Sequence, residues 1–200
     1  MKRIPILATV VVAAAIALMI GLGIWQLQRA QWKAGLLASY AAAQHQPPIA
    51  WPVVPSPKNP PLFRRSSAFC LQVTGWRSVS GRNLQQTPGW SHIASCRSGG
   101  GEGPGFQAVM GWSTEPADPA WTGGMVEGVI APDSQSIIRL VATNPAPGLV
   151  PSAPPSLEDI PNNHMAYAVQ WFLFALIAAI IYVLALRRRN RDGGPANIAP

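Results

Sequence analysis

The chain offers three histidines, two cysteines and eight carboxylates to a proton, a metal or a nucleophile, and they are scattered over 200 residues. No H-E-x-x-H or G-x-S-x-G spacing occurs. The glycine-rich run at residues 99–105 lacks the Lys-Ser/Thr of a phosphate loop and reads as a hairpin turn. An enzyme gathers its nucleophile, base or ligand set in one place, so the pattern points away from catalysis. One histidine stands apart. His164 follows Pro161, Asn162 and Asn163 at the lip of an apolar run that continues to Leu186. Either Asn can cap a helix there through its side-chain oxygen. In that helix His164, Tyr167, Ala168 and Trp171 share a face. A neutral imidazole among aromatic rings, half out of a membrane, can ligate a haem iron. It can equally hydrogen-bond lipid headgroups or a second helix. His45 stands beside a proline run. His92 falls in a strand-like pattern with Trp90, and both read as surface or packed residues. Cys70 and Cys96 are too far apart in the chain for a C-x-x-C motif. An oxidising compartment permits a disulfide between them, and two buried thiols are the alternative.

What must position His164 is a membrane architecture. Two blocks, residues 4–27 and 165–186, are apolar almost throughout. Roughly 20 such residues at 1.5 Å each cross the ~30 Å hydrocarbon layer. The first exceeds a secretory h-region and ends in a poor small-x-small cleavage site, so it reads as an uncleaved anchor. Six of the fifteen Lys and Arg lie in the two tails beside one carboxylate, while residues 28–163 hold nine against seven. The positive-inside rule then puts both termini in the cytoplasm and the segment between them outside, in a bacterium the periplasm. The basic balance is topological, not the footprint of a nucleic-acid partner.

Residues 28–45 are helix formers without proline and extend the first helix into water. Trp25 and Trp32 straddle the interface, and Arg29 and Lys33, one turn apart, can reach phosphates. Residues 46–68 form a Pro-rich linker. Residues 69–143 alternate apolar and polar side chains in short runs, with Pro132-Asp133-Ser134 as one turn, and read as a small antiparallel sheet or partial barrel. Residues 144–163 are a Pro-rich connector, and 187–200 a basic tail. The fold class expected is an α+β membrane protein, two transmembrane helices flanking a small antiparallel β-rich extracytoplasmic domain.

Two stretches carry a resemblance. Gly-Ile-Trp-Gln-Leu-Gln-Arg at 23–29, followed by Trp32-Lys33, and Pro-Asn-Asn-His-Met-Ala-Tyr-Ala-Val-Gln-Trp-Phe at 161–172 resemble the signatures beside the two membrane helices of the Surfeit locus protein 1 family. Gly75 and Gly111-Trp112 resemble its strand landmarks, with Met110 where the family has a basic residue. The resemblance implies a factor, not an enzyme, for assembling cytochrome c oxidase in the inner membrane. It implies transient binding of haem A and its insertion into subunit I. Further partners would be haem A synthase and other assembly factors. The family histidine falls on His164, which becomes the expected iron ligand, with Tyr167, Trp171, Trp25 and Arg29 around it. The alternative is a scaffold that holds oxidase subunits without haem.

Overall fold

Runs of Ala, Leu and Ile favour helix, and proline limits both long ones. The computed structural model describes residues 5–99, 105–158 and 160–191. The glycine-rich turn expected at 99–105 lies largely outside them, as do Lys2, Arg3 and the tail beyond Arg191. Helix α1 spans Ile6–Gln44 and helix α2 spans His164–Arg191. Among the described residues these two are long and apolar enough to cross a membrane. Pro5 opens α1, its carbonyl accepting from Thr9 N at 2.9 Å. The helix tightens at its end, where His45 N reaches Ala42 O, and Pro47 and Pro48 then supply no N–H to continue it.

The chain divides into two units, residues 1–36 with 161–200 and residues 37–160. In the first, α1 and α2 pack along a seam of small residues. Gly23 and Ala30 on α1, and Ala168 and Ala175 on α2, are the buried positions, each pair seven residues apart. A seven-residue repeat keeps one face toward a partner helix, and small side chains let backbones approach closely. A methyl group on Gly23 would lie 2.7 Å from Phe172 Cε1. Polar pairs close the seam at both ends. Tyr182 hydrogen-bonds the Thr9 hydroxyl, and His164 meets Gln26.

The second unit is a seven-stranded mixed sheet. Its strands are β1 Ile49–Ala50, β2 Arg65–Cys70, β3 Gln72–Arg82, β4 Pro88–Arg97, β5 Gly105–Ser113, β6 Gly124–Asp133 and β7 Ile137–Ala142. They lie in the order β1-β2-β6-β7-β5-β4-β3. Four pairings are antiparallel, as the alternation suggested, and β1 on β2 and β7 on β5 are parallel. The Pro-rich stretch 46–68 supplies β1 and the start of β2. Leu71 alone joins β2 to β3, the second and last strands of that order. The sheet must therefore coil until those strands meet, closing one end like a barrel. Leu71 N bonds Arg97 O at 2.8 Å, and a Cys70–Cys96 disulfide ties β2 to β4 at the same end. The inward face buries Phe106, Ala108, Met110, Val126, Ile138 and Leu140 around that disulfide. Tyr40, in the last turns of α1, stacks on buried Phe63 with ring centroids 5.1 Å apart.

The outer face carries a second, smaller apolar stripe of Val79, Ile93, Val109, Ala131 and Val141. Asp133, at the β6–β7 turn, has no side-chain exposure and sits 2.8 Å from Arg77 and 3.6 Å from Arg139. Its other oxygen accepts from Gln135 N and Ser136 N, the expected turn in atomic form. Burial opposes its ionisation, but the Arg77 hydrogen bond and these amides outweigh it and hold the carboxyl below the usual carboxylate range. The Pro-rich connector does not simply lead away. Val150 pairs with Trp112 and Ser152 with Asn83, and Ala153 N bonds Arg82 O at 2.8 Å.

Candidate functional site

His164 is the first residue of α2. The carbonyl of Asn163 accepts from Tyr167 N at 3.2 Å, so Asn163 takes the N-cap position through its backbone. Among the described residues neither Asn162 nor Asn163 makes a side-chain bond to the first turn. The heptad spacing that buries Ala168 puts His164 one turn earlier on the same face. The spacing that buries Gly23 puts Gln26 opposite it.

The decisive contact is short. His164 Nδ1–H donates to Gln26 Oε1 at 2.8 Å. In the neutral ring a proton held on Nδ1 leaves the Nε2 lone pair free, and among the described residues nothing bonds it. A neutral imidazole anchored through one ring nitrogen and open at the other is the arrangement that presents a metal ligand. No cluster of three or more His, Cys, Asp or Glu able to hold a metal ion occurs among the described residues. Residues 5–36 and 161–191 hold no other His, Cys, Asp or Glu, so the helix pair offers one imidazole.

The other expected residues are placed as follows. Trp171 is half-buried and meets Phe174 edge-on, ring centroids 6.2 Å apart. Tyr167 and Trp25 are about half exposed on the helix surfaces. Arg29 lies 4.0 Å over the Trp32 ring, a cation–π pair that keeps the guanidinium near the indole. No hydrogen bond or ring stacking among the described residues joins Trp25, Tyr167 or Arg29 to His164. Gln26 was missed by residue-type reasoning, because a glutamine inside an apolar run carries no chemistry of its own. Its signal was its place in the 23–29 stretch and its spacing from Gly23.

A family model described as the SURF1 family matches residues 13–176. The chain belongs to the SURF1 family. The match runs from within α1 through the whole sheet to the middle of α2, so it includes Gln26 and His164 together. SURF1 members are associated with cytochrome c oxidase assembly and are assembly factors, not known catalytic enzymes. No curated protein matches the chain.

The remaining histidines have other surroundings. His92 is fully buried. Its Nε2–H donates to Ser113 Oγ at 2.7 Å, and Ser113 in turn donates to Glu115 O at 2.6 Å. Ser78 Oγ lies 3.1 Å from His92 Nδ1 and 3.2 Å from Pro116 O. The imidazole thus pins the loop after β5 to the sheet. Burial pushes its pKa down, only partly offset by the Asp118 carboxylate. His45 is exposed just past the end of α1.

Proposed function

We propose that this SURF1 protein binds haem A through His164 and assists its insertion into subunit I of cytochrome c oxidase. The observation that carries the reading is the His164–Gln26 hydrogen bond, which favours the neutral tautomer with Nε2 open. Bound haem A supplies an iron that takes an imidazole nitrogen, a farnesyl tail that partitions into lipid, and propionates that pair with cations. The chain's own residues have matching roles. His164 offers the nitrogen at the start of α2. Gln26 orients the ring. The apolar flanks of both helices suit a lipid tail, and Arg29 and Lys33 follow the apolar run of α1 to meet carboxylates. A single protein ligand holds a carried group less firmly than two, which favours release. The arginines at the end of α2 and the disulfide of the sheet support cytoplasmic termini and a periplasmic β domain in the bacterial inner membrane.

The test is an absorption spectrum of the protein purified in detergent from cells making haem A, beside His164→Ala and Gln26→Leu. Wild type should carry a haem A band, and His164→Ala should lose it while remaining folded. Gln26→Leu should weaken binding about 10–100-fold, as removal of a ligand's orienting partner does. A folded, colourless wild type would refute the reading and leave a scaffold that holds oxidase subunits or other assembly factors. Unchanged binding in Gln26→Leu would remove Gln26 from the site.

A further inference from the structure

A cavity of about 530 Å³ lies within the β unit. It lies between the outer face of the sheet and residues 152–158 of the connector. Its floor is the apolar stripe of Val79, Val109, Ala131 and Val141, and its roof is Ala153, Pro154 and Pro155. That volume falls in the range of small-molecule sites, which pair apolar walls with a few convergent polar groups. Here the polar groups are cations and hydroxyls. Arg82 and Arg139 line the cavity, with the buried hydroxyls of Ser91 and Ser152 between them, 3.5 Å apart.

Among the described residues the charges do not cancel. Arg77, Arg82 and Arg139 face two carboxylates, Asp133 and the exposed Glu158. Asp133 is already filled by Arg77, two backbone amides and the Ser136 hydroxyl. Arg139 reaches it only at 3.6 Å, and Arg139 Nε is buried without a hydrogen-bond partner. Arg82 spends one N–H on Gln86 O, at 2.8 Å. A guanidinium has five donors, and a buried one left unpaired is costly unless an acceptor arrives. One excess positive charge among the described residues beside an apolar slot describes its complement, an anion with an apolar body.

We propose that this cleft binds a small amphiphilic oxyanion, a carboxylate or phosphate carried on an apolar body, with Arg139 and Arg82 as its anion partners. The apolar part lies between the valine floor and the proline roof. Its source is either a soluble organic acid or an anionic lipid, which share this chemistry. The site belongs to the β unit and does not depend on the haem reading.

The test is hydrogen–deuterium exchange on the full chain in nanodiscs of zwitterionic lipid, with octanoate or inorganic phosphate added. A second set of discs contains phosphatidylglycerol and no additive. Protection of residues 79–82 and 152–158 by octanoate marks the soluble source, and protection by phosphatidylglycerol alone marks the lipid. Arg139→Gln should raise the concentration needed by about tenfold or more, the loss of one charge-assisted bond. Ala153→Phe, which fills the slot from the roof and leaves the guanidiniums in place, should abolish the protection. Exchange in β2 and β6 reports in the same experiment that both variants fold. No protection by any probe, or protection that survives both variants, overturns the proposal. Inorganic phosphate acting as well as octanoate overturns its apolar half.

Discussion

Breaking the Cys70–Cys96 bond should cost the β unit most of its margin of stability. The two cysteines are 26 residues apart in sequence and tie β2 to β4, which the sheet order separates by three strands. Cross-linking a loop of that length removes chain entropy from the unfolded state worth about 3.5 kcal/mol at 25 °C. Both side chains are buried, so cysteine-to-alanine replacement adds lost packing, and that figure is a floor for the double variant. The loss should also be felt locally, because the bridge stands beside the single-residue step at Leu71 that closes the sheet. The assay is urea unfolding of the full chain in mild detergent, followed by tryptophan fluorescence, for oxidised protein, reduced protein and Cys70→Ala/Cys96→Ala. With a slope near 2 kcal/mol per molar urea, the midpoint should fall by roughly 2 M. Coincident transitions by circular dichroism would license the two-state reading. A midpoint that moves by less than about 0.3 M on reduction, beyond the scatter of such extrapolations, would refute the loop-closure argument.

Two further outcomes are expected of the sheet. Gly128→Ala would place a methyl group 2.0 Å from the Val141 carbonyl oxygen, a backbone atom that cannot step aside without parting β6 from β7. It should destabilise by about 4 kcal/mol or more, while Gly75→Ala, which meets nothing within 4 Å, should not lower the same urea midpoint. Because burial holds the His92 pKa below the ~6.5 of an unfolded chain, the unfolded state binds more protons between the two values. Its contribution is fully present above about pH 6.5 and is lost as pH falls through the folded value. The urea midpoint should therefore drop from pH 7.5 to 5, and His92→Gln should flatten that drop; an equal drop in both proteins would assign it to other groups.

The helices were legible because a membrane demands a long apolar run, and no other part of the chain has one. Most strands were legible too, since one buried face imposes alternation, as along Phe106, Ala108 and Met110. The corner at Leu71 was not. Phe69, Leu71 and Val73 keep the period of two straight through the break between β2 and β3, and a one-residue turn leaves no punctuation of Gly or Pro. The parallel partners of β2 and β5 were equally hidden, because pairing between distant segments is decided by the assembled core. At the helix site, His164 was legible from its residue type and its place at the lip. Its partner was not, because Gln26 matters only through the register of the second helix.

That register has a consequence for where His164 can sit. Its bond to Gln26 and the Thr9–Tyr182 bond are two rungs of one ladder, 17 residues apart along α1, or about 25 Å. Sliding one helix past the other by a single turn would break both rungs at once and leave four polar groups without these partners. The pair therefore moves as a rigid gauge nearly as long as the bilayer is thick. Where the pair spans a bilayer, the depth of Thr9 sets that of the imidazole about 25 Å away along the helices. Bilayers of shorter acyl chain should lift His164 toward water without separating it from Gln26.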